Sequence, residues 1–248
     1  MYWFSLLRSD KIFFQNKDDR CEFIEQGVVK IHLTDLLPGS GVDLDRFSYT
    51  PIIANQLAPK DNTEKKKTRF LLIARMLWDK GVGEYVEAAT LLSQRYPYSE
   101  FCMIGFLDFG NPEAISEAQI NKWIADDIVQ YLGVIDDIRL GIVKADCVVL
   151  PAQFREGTPR SLLEAAAMGR PVITTDTVGC RETVDDGING YLCIPNDAID
   201  LSKKMERIIQ LNDVQRYEMG KCGREKMELQ FDQKIVVQKY LEAISRNL

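Results

Sequence analysis

Two basic residues, Arg75 and Lys80, lie in the short segment A-R-M-L-W-D-K-G at 74–81. The segment joins an apolar run at 69–74, which is typical of a buried strand, to apolar residues with helical spacing over 81–94. Two cations beside a helix N-terminus are suited to holding an anion, and a diphosphate matches their charge. Two solvated loop cations are the alternative interpretation.

A second segment whose residues could bind a ligand or take part in a reaction is F-R-E-G-T-P-R-S-L-L-E at 154–164. Thr158 is predicted to cap a helix that starts at Pro159 and runs to 168, where Gly169 ends it. Gly157 would let a ligand approach the backbone closely. The free N–H groups of the first helical turn could then contact phosphate or sugar oxygens.

The same segment carries two carboxylates, Glu156 before the helix and Glu164 inside it. One of them could contact a sugar while the other accepts hydrogen bonds from ribose hydroxyls. The alternative is structural, because Glu156 could merely complement the helix dipole and Glu164 could pair with Arg160 at i,i+4.

Four other features are weaker evidence for a functional site. Gly179, in T-T-D-T-V-G-C-R-E-T-V at 174–184, indicates a turn or a backbone position near a ligand. The D-x-D motif at 43–45 follows G-S-G and is interpreted as a turn. The G-V-G at 81–83 lacks the third glycine of a dinucleotide-binding fingerprint. His32 is interpreted as a structural residue of a predicted strand.

The elements that must position these residues alternate along the chain. Strands are predicted at 69–74, 101–104, 129–132, 147–150, 172–175 and 191–194, and helices at 81–94, 113–124, 138–144, 159–168 and from 198 onward. This order predicts an α/β fold, a Rossmann-like parallel sheet with helices on both faces, with ligands outside the carboxyl ends of the strands. Residues 1–57 are less regular, with predicted strands at 11–14 and 28–33 around a helix at 20–26.

Composition narrows the class of protein. The 248 residues are 46% hydrophobic and 27% charged, with a net charge of −6, which disfavours nucleic acid as a partner. Six cysteines without a C-x-x-C motif, and a single histidine, disfavour a zinc site and favour a reducing, cytoplasmic setting. No signal peptide or membrane span is visible in the sequence. The polar segment A-P-K-D-N-T-E-K-K-K-T at 58–68 is predicted to be a linker, and contact of its lysines with an anionic membrane surface is the alternative.

The ordered motifs resemble glycosyltransferase family 4. They are R-x(4)-K-G, E-G-T-P-R-S-L-L-E-A-A-A-M-G-R-P-V-I-T-T-D and G-C-R-E-T-V-x-x-G-x-N-G-Y-L, and they extend from about Phe70 to Gly190. The segment G-S-G-V-D-L-D-R-F at 39–47 matches the place where that family joins its two domains. N-x-D-D at 16–19 and G-C-R-E-T-V are most similar to enzymes of capsule, O-antigen and related surface-glycan assembly. The resemblance implies a GT-B fold, in which two Rossmann-like domains face each other across a cleft.

The resemblance also implies roles for individual residues. Arg75 and Lys80 would hold the donor diphosphate, Glu164 the ribose, and Glu156 the transferred sugar. The remaining donor contacts would come mainly from the backbone, at Val134 for the base, at Gly157, Thr158 and Pro159 for the sugar, and at Arg160 and Ser161 for phosphate. The family needs neither a bound metal nor a cofactor, because cations and helix dipoles neutralise the phosphates.

The implied activity is retaining transfer of a hexosyl or N-acetylhexosaminyl group from a UDP- or GDP-sugar to a glycan or lipid-linked glycan. The enzyme would be cytoplasmic, with membrane association on the cytoplasmic face as a further expectation. The joining segment starts near residue 39, so residues 1–57 are interpreted as a remnant of the acceptor domain and 69–248 as the donor-binding domain. The chain alone is expected to bind donor without transferring sugar, and its last helix to leave part of its apolar face bare or covered by another subunit. One alternative is a non-catalytic nucleotide-sugar-binding module. The other is a GT-B-like sugar-nucleotide epimerase, and the paired glutamates disfavour the epimerase.

Overall fold

The computed structural model describes Leu6 and residues 9–52 and 67–245. Its N-terminal segment is a small parallel unit, in which β1 (Ile12–Phe14) pairs with β2 (Thr34–Leu36) in the register Ile12 to Thr34. Helix α1 (Lys17–Glu25) connects these strands. The predicted strand at 28–33 is wrong, because Ile31–Leu33 form a 3-10 turn and the extended pairing begins only at Thr34. His32 therefore lies in a turn, not in a strand.

The centre of the fold is a six-stranded, wholly parallel sheet in the order β5-β4-β3-β6-β7-β8. Its strands, in chain order, are β3 (Thr68–Ile73), β4 (Ser99–Ile104), β5 (Gln130–Tyr131), β6 (Cys147–Leu150), β7 (Val172–Thr175) and β8 (Gly190–Cys193). The predicted α/β fold is therefore confirmed. The sheet begins at Thr68, one residue inside the predicted linker, and linker residues 58–66 lie outside the described residues.

Helices cover both faces of this sheet. They are α2 (Val82–Ser93), α3 (Glu117–Ala125), α4 (Arg139–Lys144), α5 (Arg160–Ala167), α6 (Ala198–Gln210) and α7 (Asp213–Lys226). A π-helical turn at Met227–Phe231 then leads to the last helix, α8 (Gln233–Ser245). Helix α3 starts later than the predicted 113, because the Ser116 side chain caps it by accepting from Gln119 N at 3.2 Å.

Alternation along the strands divides the core into two layers. In β3, Phe70 and Leu72 pack with α2 and α6 on one face, while Leu71 packs with α4 and α5 on the other. This alternation follows from the two-residue period of a strand, whose side chains point to opposite faces. Cys102 and Cys147 are buried, and burial raises the pKa of both thiols.

The last helix packs on the N-terminal segment. Tyr240 of α8 contacts Phe13 of β1, with ring centroids 5.1 Å apart, and Lys239 donates to Leu36 O at 2.8 Å. Where the chain leaves the segment, Val42 N donates to Phe231 O at 2.7 Å, and where it returns, Gln233 N donates to Val42 O at 3.0 Å. The two crossings between the segment and the sheet are therefore bonded to each other.

Much of the apolar surface of α8 is exposed, including Val237, Leu241 and Ile244, which are each more than half exposed. Residues 1–5 and 7–8, at the start of the chain, lie outside the described residues. No helix described over 9–52 and 67–245 combines the length and apolar character of a bilayer-crossing segment.

Candidate functional site

The strand order creates a crevice at the carboxyl edge of the sheet. Strands β3 and β6 are neighbours, and the chain proceeds from them toward opposite ends of the sheet. In open α/β sheets, ligands bind at such a switch point, outside the carboxyl ends of the strands. The loop after β3, residues 74–81, and the loop after β6, residues 151–159, border this crevice.

These two loops touch. Gly81 has φ +72°, and a Cβ there would lie 1.9 Å from Pro151 O, so a larger residue would push the loops apart. Gln153 N donates to Asp79 O at 2.9 Å, which ties the loops through their backbones. Residues far apart in sequence are thereby brought to one edge of the crevice.

Lys80 and Glu156 form an ion pair across the two loops. Their side chains are only 17% and 21% exposed. Arg75, which precedes Lys80 in the same loop, pairs with Asp108 at 3.1 Å. Each predicted anion-binding cation therefore has a carboxylate partner, which an incoming diphosphate would have to replace or share.

The loop that carries Glu156 packs against the segment 174–184, which contains Gly179. Glu156 N donates to Val178 O at 3.0 Å. Gly179 has φ +89°, and a Cβ there would lie 1.9 Å from Glu156 O. Glu182 in turn accepts from Gly179 N at 2.8 Å. Gly179 thus supports the backbone of Glu156, a role that its sequence context alone did not distinguish from a ligand contact.

The prediction that Thr158 caps α5 is wrong. Pro159, with φ −67° and ψ 122°, is the capping residue, and the helix begins at Arg160. The hydroxyl of Thr158 is instead buried, and it has no hydrogen-bond partner among the residues that the structure describes. It packs on Gly39 of the joining segment, where a Cβ would lie 2.6 Å from Thr158 Cβ. Packing against this segment has overridden the local capping preference.

The start of α5 leaves backbone donors facing outward. Its first bonds run from Leu162 N and Leu163 N to Pro159 O, at 3.2 and 3.3 Å. Within the described part of the chain, the preceding N–H groups, on Arg160 and Ser161, have no partner and are free for an acceptor outside the helix. These are the N–H groups predicted to contact phosphate.

Glu164 lies one turn further along α5, at a cavity of about 250 Å³. Its side chain is 13% exposed and accepts from Arg160 Nη2 at 3.2 Å, as in the structural alternative. Burial raises the pKa of the Glu164 carboxyl, against the lowering effect of the nearby Arg160 guanidinium. The cavity is completed by the joining segment and the start of α8, with Ser40, Gly41, Val42, Asp43, Arg46, Phe47 and Gln233 in its lining.

The D-x-D motif beside this cavity forms a turn, as predicted. The Asp43 carboxylate accepts from Asp45 N at 3.0 Å and from Arg46 N at 2.9 Å. These backbone bonds lower the pKa of Asp43. Within residues 9–52 and 67–245, no cluster of His, Cys, Asp and Glu has the arrangement of a metal site.

Val134, the predicted contact for the base, is 68% exposed just beyond β5. It follows Gly133, which has φ +67° and accepts through its carbonyl from Gly105 N at 2.9 Å. The loops after β4 and β5 are thus joined beside the crevice. This position is compatible with the predicted base contact, which stays a prediction.

Arg155 is a further residue of this site, although its local sequence did not indicate a role. Its guanidinium donates to Asp19 Oδ1 at 2.6 Å and to Glu22 Oε2 at 3.0 Å, both on α1. The residue before Glu156 is thereby bonded to the N-terminal segment. The N-x-D-D motif at 16–19 was the available signal, but sequence alone did not indicate its partner.

Comparison with known proteins gives the family context. Residues 55–226 match the family profile described as glycosyl transferases group 1. The chain is 30% identical over 248 residues to the Campylobacter jejuni N,N'-diacetylbacillosaminyl-diphospho-undecaprenol alpha-1,3-N-acetylgalactosaminyltransferase, covering 99% of this chain and 63% of that protein. It is 30% identical over 189 residues to the amylovoran biosynthesis glycosyltransferase AmsK of Erwinia amylovora, covering 72% of this chain and 44% of AmsK.

Among solved structures, the fold is similar to that of Anabaena HepE in complex with UDP and glucose, with a TM-score of 0.77. The match covers 95% of this chain and 63% of HepE, at 21% identity, and it supports the fold alone. The chain therefore spans less than two thirds of the length of each of these three proteins.

Proposed function

The chain belongs to the family of glycosyl transferases group 1, and on that premise we propose that it is the donor-binding part of a retaining glycosyltransferase. The proposed donor is a UDP- or GDP-sugar. The proposed acceptor is a glycan or lipid-linked glycan in surface-polysaccharide synthesis. The names of the Campylobacter and Erwinia relatives support this acceptor class. Action at the cytoplasmic face of a membrane follows from a lipid-linked acceptor and belongs to the same proposal.

The observation that carries this proposal is the meeting of Lys80, Glu156 and the start of α5 at the sheet's switch point. A diphosphate bound there would receive the Lys80 and Arg75 charges from one side and the outward N–H groups of α5 from the other. Glu164, at its cavity one turn along, would accept from the ribose hydroxyls. Glu156, released from Lys80 by the diphosphate, would contact the transferred sugar.

Charge neutralisation by these groups would let the site work without a metal or cofactor. When the bond between the anomeric carbon and the diphosphate breaks, negative charge develops on the leaving phosphate oxygen. Fixed cations and N–H dipoles aimed at that oxygen stabilise the transition state without reorganising. In the proposed retaining reaction, the same oxygen takes the proton of the acceptor hydroxyl, which attacks from the face that the diphosphate leaves.

A calorimetric screen of the 248-residue chain tests the proposal. UDP-, GDP- and ADP-sugars are titrated with and without EDTA, alongside the free nucleotides. We expect binding of one nucleotide class that EDTA does not change. Failure of every nucleotide to bind, or a strict requirement for Mg²⁺ or Mn²⁺, would refute the proposed donor site.

Product analysis separates the alternatives. A lipid-linked glycan acceptor is incubated with the preferred donor, and the donor is recovered. Recovery of an epimerised donor sugar would indicate the epimerase instead. Binding without transfer, even when the remainder of a full-length relative is supplied, would indicate a non-catalytic module.

A further inference from the structure

Gln15 of the N-terminal segment lies against the loop that carries Glu156. It is the first residue after β1, and Gly157 directly follows Glu156 in the loop after β6. A Cβ built on Gly157 would be 2.3 Å from Gln15 Oε1 and 3.5 Å from Gln15 Cδ. The end of the Gln15 side chain therefore occupies the space that a side chain at 157 would take.

The amide of Gln15 is available to a ligand. Gln15 is exposed, and within the described residues its side chain has no hydrogen-bond partner. A primary amide offers two donors and an acceptor, which suits the hydroxyl or acetamido groups of a sugar. The Gln15 amide thus lies beside Gly157, the residue next to Glu156 in the loop after β6.

A chain of hydrogen bonds fixes this part of the segment. Asn16, next to Gln15, is only 3% exposed. Its Oδ1 accepts from Asp19 N at 2.7 Å and its Nδ2 donates to Asp19 Oδ2 at 2.7 Å. The other carboxylate oxygen of Asp19 accepts from Arg155, the residue before Glu156. Asn16, Asp19 and Arg155 therefore connect the backbone beside Gln15 to the backbone beside Glu156.

We propose that Gln15 is a substrate-contacting residue, whose amide hydrogen-bonds the transferred sugar of the bound donor. Asn16, Asp19 and Arg155 are positioning residues that keep the amide against the loop that carries Glu156. The proposal rests on the proposed function, since it requires a nucleotide sugar in the crevice. It extends the proposed donor site to the N-terminal segment, which would contribute to recognition of the sugar.

The test measures how much the sugar adds to nucleotide binding. Calorimetry on the 248-residue chain gives dissociation constants for UDP, GDP, UDP-N-acetylgalactosamine, UDP-N-acetylglucosamine, UDP-glucose and GDP-mannose. The sugar increment is the dissociation constant of the free nucleotide divided by that of its sugar conjugate. Gln15→Ala is expected to lower the increment about two- to ten-fold, the effect of one neutral hydrogen bond, and to leave free-nucleotide affinity unchanged.

Asp19→Asn tests the positioning chain. Its ion pair with Arg155 is half exposed, so we expect a smaller loss of the increment, about two- to five-fold. Gln94→Ala, at the exposed end of α2, and Glu25→Gln, on α1, are matched controls that should change nothing. Gln15→Glu, which keeps the shape and loses both donors, provides a second variant at the same position.

The outcomes separate the two proposals. Loss of the increment in both Gln15 variants, with free-nucleotide affinity intact, supports the sugar contact. An increment of one in the wild type, or an undiminished increment in Gln15→Ala, overturns the Gln15 contact and leaves the donor site standing. Absence of any nucleotide binding by the wild type refutes the proposed function itself.

Discussion

Lys80→Met removes the cation that joins the two loops at the switch point and keeps most of the side chain's apolar length. Lys80 and Glu156 are about one fifth exposed, so their pair lies between an exposed pair, worth about 0.2–1 kcal/mol, and a buried one, whose disruption costs about 3–5 kcal/mol. We therefore expect the free energy of unfolding to fall by about 1–2 kcal/mol. For a chain of this size the melting temperature should drop by about 2–8 °C.

Nucleotide affinity should fall by more than stability does. The diphosphate loses a charged hydrogen bond, worth about 1.5–3 kcal/mol, or roughly 10- to 150-fold in dissociation constant. Isothermal titration with the preferred nucleoside diphosphate measures this loss of affinity. Thermal denaturation measures the loss of folding stability. Lys203→Met, on the exposed face of α6, is the matched control for removal of a lysine charge. Wild-type affinity in a folded Lys80→Met variant would refute the diphosphate assignment.

Four further predictions concern the carboxylates, metal and backbone. Glu164→Gln should weaken free UDP or GDP, whereas Glu156→Gln should lower only the sugar increment; equal effects on free nucleotide would contradict these roles. Because burial raises the pKa of Glu164, free-nucleotide affinity should fall on acidification at a pH above the ordinary glutamate range, and Glu164→Gln should remove this dependence. Donor affinity measured by calorimetry should be the same in excess EDTA as without it. Gly179→Ala should destabilise the fold by about 1–3 kcal/mol in urea denaturation, whereas Gly110→Ala, which meets nothing within 4 Å, should have little effect.

Local sequence patterns predicted the centre of the sheet well. The bounds of β6 and β7 match the strands predicted at 147–150 and 172–175, which are buried on both faces. The run at 28–33 misled because the pairing of β2 depends on register with a strand some twenty residues away. The predicted capping role of Thr158 was wrong for a related reason, because Thr158 packs against Gly39 of the joining segment, which is distant in sequence.

The site was predictable by residue type but not by geometry. Spacing identified Lys80 and Glu156 as members of two separate motifs. Their ion pair depends on β3 and β6 being neighbours, which no local pattern encodes. The partnership of Arg155 with α1 likewise needed the relative placement of the N-terminal segment and the sheet.

The bonded crossings at Val42 and at 231–233 have a consequence for truncation. Because Gln233 N and Phe231 O are the partners of Val42, a chain stopped before residue 231 would leave both backbone groups of Val42 without them. Loss of α8 would also remove Tyr240 from Phe13 and Lys239 from Leu36. Truncation at the C-terminus would therefore destabilise the N-terminal segment. Amide hydrogen exchange should register it first in β1 and β2, while the core of the six-stranded sheet keeps its protection.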